Sequence, residues 1–114
     1  MIINSYKRSF GKEGEKVSLF TLGTMRAAES FDKMYQIIKE AHHTGINHIE
    51  TAASYGDAEI LIGKALKVLE KSDKIPIKNW IITTKVLPKG DFKFLKANFE
   101  NSLKNLKLKK INNL

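Results

Sequence analysis

The sequence has no cysteine, only two prolines and no long run of apolar residues. Without cysteine, the chain can form neither disulfide bonds nor thiolate-ligated metal sites. No window approaches about 18 consecutive apolar residues, so we expect no membrane-spanning helix and no membrane partner. Residues 1–8 also lack the apolar centre of a signal peptide. These absences lead us to expect a soluble, cytoplasmic protein.

The charge is unbalanced toward lysine, which raises the question of a nucleic-acid surface. The formal net charge is +8, but among the 20 basic residues only Arg8 and Arg26 are arginines. Proteins that read bases rely on arginine forks and stacked aromatic side chains, and neither is prominent here. The lysines are spread along the chain, apart from a cluster at 104–110. We therefore interpret them as solvated surface residues and expect no nucleic-acid partner.

The hydrophobic pattern divides the chain into an N-terminal hairpin and one α/β domain. Residues 1–17 form two polar strand-like runs around a glycine-containing turn at 11–14, which predicts a β-hairpin. From residue 18 to 114 the period alternates between strand and helix. Strands are predicted at 19–22, 47–49 and 80–84, helices at 31–44, 58–70 and 92–106, and the start of a fourth strand at 111–114.

Capping residues and apolar stripes support the three helices. Ser30, Asp57 and Asp91 are predicted N-caps, and Gly45 is predicted to end the first helix. Each helix should turn one apolar face toward the sheet. The predicted stripes are Phe31, Met34, Ile37, Ile38 and Ala41 in the first helix, Ile62, Ala65, Leu66 and Leu69 in the second, and Phe92, Leu95, Phe99, Leu103 and Leu106 in the third.

Strand–helix alternation predicts a parallel sheet, because consecutive parallel strands need a crossover connection. The strands alone are compatible with part of a doubly wound sheet or with part of a barrel. No G-x-G-x-x-G follows the first strand, so a dinucleotide-binding Rossmann start is unsupported. A phosphate-binding G-x-x-x-x-G-K-[ST] is absent as well.

Polar residues follow each of the three predicted strands. Gly23, Thr24 and Met25 follow the first, Glu50 and then Tyr55 follow the second, and Lys85 follows the third. Parallel strands bring their carboxyl ends to one edge, so these residues should meet there. A carboxylate, a phenol and an ammonium in one place are suited to proton transfer. General acid catalysis of this kind contributes about 10²–10⁴-fold.

The segment 45–59, G-I-N-H-I-E-T-A-A-S-Y-G-D-A-E, resembles the first signature of the aldo-keto reductases. That signature reads roughly G-x-x-x-[I/F]-D-T-A-x-x-Y-G-x-x-E. The segments 62–66 and 81–86 resemble its continuation, and 22–25 resembles the first strand and loop of the family. The resemblance extends from about residue 16 to residue 114, with its separate motifs in matching order and spacing.

The resemblance implies a (β/α)₈ TIM barrel, of which this chain supplies about the first three βα units behind the hairpin. It also implies NADPH as cofactor and a small carbonyl compound as substrate. Tyr55 falls at the proton-donating tyrosine, Lys85 at the lysine that stabilises the phenolate, and Glu50 at the carboxylate that pairs with this lysine. Gly23 and Thr24, together with Glu50, fall at positions beside the nicotinamide. Met25 is a candidate for substrate contact.

Two departures from the family pattern affect the functional prediction. Glu50 replaces the usual aspartate and carries its carboxylate one methylene further out. The family's catalytic histidine lies at the end of the fourth strand, and the sequence stops before that point. We therefore expect a truncated oxidoreductase whose isolated chain lacks activity. The alternative is a non-catalytic interaction module that completes its barrel with another chain, through a complementing fragment or self-association.

The three histidines do not have the spacing of a metal site, so no metal is expected. His42 and His43 close the first helix, where a cationic side chain suits the helix dipole. His48, within the second strand, is expected to be packed or hydrogen-bonded.

Overall fold

The computed structural model describes residues 6–114, which form an antiparallel hairpin followed by a parallel sheet with its helices. The hairpin pairs β1 (Lys7–Ser9) with β2 (Lys16–Ser18). The parallel strands are β3 (Leu22–Gly23), β4 (His48–Glu50) and β5 (Ile81–Thr83), and the helices are α1 (Phe31–His43), α2 (Ala58–Ser72) and α3 (Phe92–Leu106). Short 3₁₀ helices lie at Met25–Ala27 and Ile77–Asn79. None of the described helices is long and apolar enough to cross a membrane.

The sheet runs in the order β3-β4-β5, and both pairings are parallel. Leu22 lies opposite Ile49, and Ile49 lies opposite Ile82. Asn113 adds a parallel bridge to Thr83 on the outer side of β5, where the fourth strand was expected to begin. The predicted succession of three βα units, with the start of a fourth strand, is therefore confirmed.

The hairpin lies against the N-terminal ends of the parallel strands. Its turn is closed by the Phe10 N–H, which donates to the Glu15 carbonyl at 2.9 Å. The Asn47 side chain joins it to the sheet, since Oδ1 accepts from the Ser18 N–H at 2.8 Å and Nδ2 donates to the Lys16 carbonyl at 2.9 Å. The first five residues of the predicted hairpin lie outside the described residues.

The core lies between the sheet and the helices. α2 contributes most of it, because three of its large apolar side chains are almost completely buried, while α1 contributes two more. The fully buried large apolar side chains are Met34, Ile38, Ile49, Ile62, Leu66, Leu69, Ile82 and Leu106. Burying one such side chain is worth about 1.5–3 kcal/mol, so this layer holds the helices on the sheet.

The helix boundaries follow from their capping residues. The Ser30 Oγ accepts from the Lys33 N–H at 3.2 Å, and Asp91 Oδ1 accepts from the Phe94 N–H at 2.9 Å. Asp57 stands at the N-cap position of α2 but makes no side-chain capping bond. Gly45 has a φ of 90° just after α1, a backbone conformation that favours glycine.

Two parts of the sequence prediction are wrong in detail. The first parallel strand begins at Leu22 rather than at Leu19, because Leu19 and Phe20 form a bend and are 51% and 60% exposed. Ile37 and Phe92 belong to the predicted apolar stripes but lie exposed. The reason is that an apolar stripe is buried only where another element packs on it. For Ile37 the missing element is beside β3, because no strand among the described residues pairs with the outer side of that strand.

Candidate active site

Glu50, Tyr55 and Lys85 come together at the carboxyl-terminal edge of the sheet. Glu50 is the last residue of β4, and Lys85 follows the end of β5. Tyr55 lies in the turn that leads from β4 into α2. Parallel pairing of β4 with β5 places the ends of both strands side by side, which brings the three side chains within reach of one another.

The Lys85 amine is at the centre of this cluster. Its Nζ donates to Glu50 Oε2 at 2.7 Å and to the Thr51 carbonyl at 2.9 Å. It also lies 3.4 Å from the Tyr55 hydroxyl. The ammonium therefore has a carboxylate, a carbonyl and a phenol as neighbours, and its three N–H donors match three oxygens.

The Tyr55 ring is close to both charged groups. Its hydroxyl lies 3.5 Å from Glu50 Oε2, and Lys85 Nζ lies 4.9 Å from the ring centroid. Gly56 follows with a φ of 56°, so the chain turns sharply after the tyrosine and enters α2. The turn keeps Tyr55 at the edge of the sheet instead of within the helix.

The surroundings of Lys85 raise its pKa above the ordinary lysine value. Partial burial disfavours the ammonium and acts in the opposite direction. The hydrogen bonds to Glu50 and Tyr55, together with the charge of Glu50, outweigh this effect. At neutral pH the lysine is therefore a fixed positive charge beside the phenol.

Main-chain and side-chain hydrogen bonds hold the three strand ends together. The Ala53 N–H donates to the Lys85 carbonyl at 2.9 Å, and the Thr51 N–H donates to the Thr83 carbonyl at 2.9 Å. On the other side, Thr24 Oγ1 donates to the Glu50 carbonyl at 2.9 Å. Glu50 is thus tied to β3 through its main chain and to Lys85 through its side chain.

The residues predicted beside the cofactor differ in accessibility. Gly23 is exposed, and a Cβ at this position would have no neighbour within 4 Å. Thr24 is completely buried, and its hydroxyl is occupied by the Glu50 carbonyl. The accessible surface at this end of β3 is therefore the backbone at Gly23, which lies opposite Glu50 in the sheet.

Met25 and Tyr55 line one groove of about 390 Å³ at the same edge. Met25 is 53% exposed, so its side chain is available to a bound molecule. The groove is completed by Arg26, Ala28, Glu29, Ser54 and Gly56. Tyr55 is therefore part of the wall of this groove.

The sequence does not predict the Thr51 carbonyl as a partner of Lys85. The contact is made by the main chain, so no pattern of side chains in the sequence indicates it. His48 lies where expected: it is buried, with Nδ1 3.0 Å from Thr21 Oγ1 and Nε2 2.7 Å from Thr83 Oγ1. His42 and His43 end α1 as predicted, but burial and the neighbouring His43 lower the pKa of His42, which disfavours the cation expected there. Within residues 6–114, no group of three or more side chains could hold a metal ion.

Comparison with known proteins shows which family and which solved structures this chain is similar to. The model of the aldo/keto reductase family matches residues 19–114. A putative aldo-keto reductase from Pseudomonas aeruginosa is 27% identical, with a TM-score of 0.80 over 96% of this chain and 45% of its own. The holo form of an aldo-keto reductase from Bacillus halodurans is 27% identical, with a TM-score of 0.76 over 93% of this chain and 38% of its own.

An aldo-keto reductase from Bombyx mori, solved in complex with NADP, is similar as well. It is 25% identical, with a TM-score of 0.76 over 92% of this chain and 35% of its own. The chain thus spans less than half the length of these solved proteins. A search of curated proteins found no match.

Proposed function

The chain belongs to the aldo/keto reductase family, and we propose that it carries the proton-transfer half of a site for NADPH-dependent carbonyl reduction. The proposal rests on the convergence of Glu50, Tyr55 and Lys85. The Lys85 amine is in contact with both the Glu50 carboxylate and the Tyr55 hydroxyl. The substrate would be a small carbonyl compound. We further propose a cytoplasmic protein without nucleic-acid or membrane partners.

In this proposal Tyr55 is the proton donor. A substrate carbonyl in the groove beside Met25 would place its oxygen at the Tyr55 hydroxyl. As that oxygen gains negative charge, it takes the phenolic proton, and the phenolate left behind faces the Lys85 ammonium. Because the ammonium is already in place before the transfer, little reorganisation is needed to stabilise this charge. The resulting alcohol is the product.

Glu50 has two roles in the proposed reaction. Its carboxylate keeps the Lys85 amine charged through the bond at 2.7 Å. It also fixes the direction of the amine, which leaves one N–H toward the phenol. Through these two effects, a charged Lys85 ammonium stays next to the Tyr55 hydroxyl throughout the proton transfer.

The cofactor, when bound, supplies the hydride. The family, and a neighbour solved with NADP, support NADPH in this role. Gly23, Thr24 and Glu50 are the residues proposed to hold its nicotinamide end. The open backbone at Gly23 fits this position, and Thr24 would act indirectly by fixing Glu50.

We propose that the 114-residue chain alone does not catalyse carbonyl reduction. Its described strands form an open sheet, with β3 at one edge and the bridge at Asn113 on the other side. An open sheet cannot enclose the reacting atoms or exclude water from them. A complete barrel of this type takes about 250 residues, more than twice what this chain provides.

A second candidate function is that of an interaction module which completes its barrel with another chain. A groove of about 430 Å³ beside β3 favours this alternative, because it is lined by Gly23, Arg26, Ala27 and Ile37 among others. Leu19 and Phe20 are exposed just before the same strand. Such a surface is suited to the strand and helix of a complementary βα unit.

The two candidates are separated by one set of assays. NADPH oxidation is measured with a panel of aldehydes, first for the purified chain and then after co-expression with the C-terminal part of the Pseudomonas aeruginosa relative. We expect no turnover from the chain alone and turnover from the complemented barrel that Tyr55→Phe abolishes. Complex formation without turnover would favour the interaction module. Turnover by a monodisperse monomer, again lost in Tyr55→Phe, would refute the proposed inactivity of the isolated chain.

A further inference from the structure

Glu59 is a buried carboxyl group outside the proton-transfer cluster. It lies in the first turn of α2 and is only 3% exposed. Its Oε2 accepts from Thr84 Oγ1 at 2.7 Å, and its Oε1 accepts from Asn105 Nδ2 at 3.3 Å. Among the ion pairs of residues 6–114, none involves Glu59. Burying a carboxyl group without a cation is unfavourable, so a specific role is expected for it.

The Glu59 carboxyl group links the two segments that carry Tyr55 and Lys85. Its partner Thr84 is completely buried and directly precedes Lys85. At the other end, α2 is entered from Tyr55, whose carbonyl accepts from the Ala58 N–H at 3.0 Å. The hydrogen bond between Glu59 and Thr84 therefore joins the segment that carries the phenol to the segment that carries the ammonium.

A role in helix capping does not account for this arrangement. An acidic side chain in the first turn interacts favourably with the helix dipole. When the side chain is exposed, this interaction carries no desolvation penalty. Glu59 is instead directed into the protein, and both of its oxygens contact side chains from other elements, β5's end and α3. Through these hydrogen bonds Glu59 connects α2 to α3 and to the loop after β5.

We propose that Glu59, through its hydrogen bond to Thr84, is a positioning residue that sets the separation between the Tyr55 hydroxyl and the Lys85 amine. Its catalytic consequence rests on the proposed function, whereas its effect on geometry is a property of this chain alone. Positioning acts through the hydrogen bond to a carboxyl oxygen, so an amide oxygen at the same place is sufficient. Without the bond, the side chain of Thr84 is released and Lys85 loses its fixed approach to Tyr55.

The test uses the full 114-residue chain and nuclear magnetic resonance of Lys85. Because its amine lies 3.4 Å from the Tyr55 hydroxyl, the neighbouring ε-protons should show nuclear Overhauser contacts to the Tyr55 ring protons. Its titration midpoint should lie above the free-lysine value of about 10.4. Neither signal requires turnover, so a failure of the proposed reductase function does not affect this measurement. Loss of both signals in a folded variant reports displacement of the lysine.

Thr84→Val removes the hydroxyl with little change of shape, and we expect it to abolish the Overhauser contacts and to lower the titration midpoint toward that of free lysine. Thr84→Ser and Glu59→Gln retain the donor and the acceptor, respectively, and should keep both signals. Ser102→Ala is the matched control, because it deletes another buried hydroxyl, one without a hydrogen-bond partner. Unchanged Lys85 signals in folded Thr84→Val would overturn the proposal.

If Thr84→Val does not fold, Glu59→Met decides the question, because it removes the acceptor of the same hydrogen bond and leaves Thr84 in place. We expect Glu59→Met to lose both Lys85 signals, and wild-type signals in the folded variant would overturn the proposal. Asn105→Ala is its control, because it removes only the other partner of Glu59 and should keep both signals. Loss of both signals in folded Asn105→Ala would also contradict the proposal, since that variant retains the bond to Thr84.

Discussion

The Nζ atom of Lys85 lies 2.7 Å from Oε2 of Glu50, and the two side chains extend from the ends of neighbouring parallel strands. The pair remains partly open to solvent, with 49% of the lysine side chain and 31% of the glutamate side chain exposed. A glutamate at this position therefore reaches the lysine in spite of its additional methylene. The contact also orients the amine toward Tyr55.

The pH dependence of stability should report this contact. The pKa of Lys85 is raised in the folded chain, so its stabilising effect is complete below about pH 10.4, the unfolded pKa, and is lost as the pH rises through the folded pKa. Solvent screening limits the effect to about 1 kcal/mol or less. Urea unfolding of the wild type and of Lys85→Met at pH 9 and above pH 11 measures it.

We expect the difference in unfolding free energy between wild type and Lys85→Met to decrease at the higher pH. Comparing the two proteins at each pH cancels the contribution of the other lysines. A difference that stays constant across this range would contradict the ion pair.

The buried face of α2 should dominate the stability of the chain. Ile62→Ala removes a side chain with no exposed surface, and such substitutions cost about 2–5 kcal/mol. Ile60→Ala is the matched control, because Ile60 belongs to the same helix but is 36% exposed, and we expect a loss of about 1 kcal/mol or less. Denaturant unfolding followed by circular dichroism gives both values, and equal losses would place the core elsewhere.

The close approach of α2 to the end of α3 should make Gly63 sensitive to substitution. A Cβ at this position would lie 2.7 Å from the Asn105 carbonyl oxygen and 2.8 Å from that of Leu106. Overpacking of this kind costs about 1–3 kcal/mol, of which the better helix propensity of alanine offsets about 1 kcal/mol. We expect net destabilisation in thermal and urea unfolding of Gly63→Ala. Gly23→Ala, where a Cβ meets nothing within 4 Å, should leave stability unchanged.

Protonation of His48 should destabilise the chain at mildly acidic pH. Burial lowers its pKa, and the charge of Glu50 opposes this effect without cancelling it. Stability is therefore complete above the unfolded pKa of about 6.5 and is lost as the pH falls through the folded pKa. His48→Gln retains hydrogen-bonding groups toward Thr21 and Thr83 but does not titrate. The wild type should lose more stability than this variant between pH 7 and pH 5, and equal losses would argue against the effect.

The sequence was sufficient to predict the parts of the fold that depend on local interactions. Ser30 and Asp91 identified the starts of α1 and α3, because a capping bond forms within three residues of the cap. The convergence of Tyr55 and Lys85 was also predictable, since parallel strands end at one edge. The exposure of Leu19 and Phe20 was not, because burial depends on which elements pack nearby and not on side-chain type.

The burial of Glu59 was not predictable from the sequence either. In sequence it is an acidic residue in the first turn of a helix, an ordinary position for such a residue. Its burial and its contact with Thr84 depend on how β5 packs against α2, which the local pattern does not specify.

The parallel pairing of β3, β4 and β5 has a consequence for the rate of folding. Leu22 pairs with Ile49 and His48 pairs with Ile81, so each pairing closes a long loop that contains a helix. The entropy of loop closure is lost before these contacts can compensate for it, and chains with many such contacts fold slowly. We therefore expect α1 and α2 to form before the sheet is in register, and the proton-transfer cluster, which requires β4 beside β5, to be assembled among the last parts of the molecule.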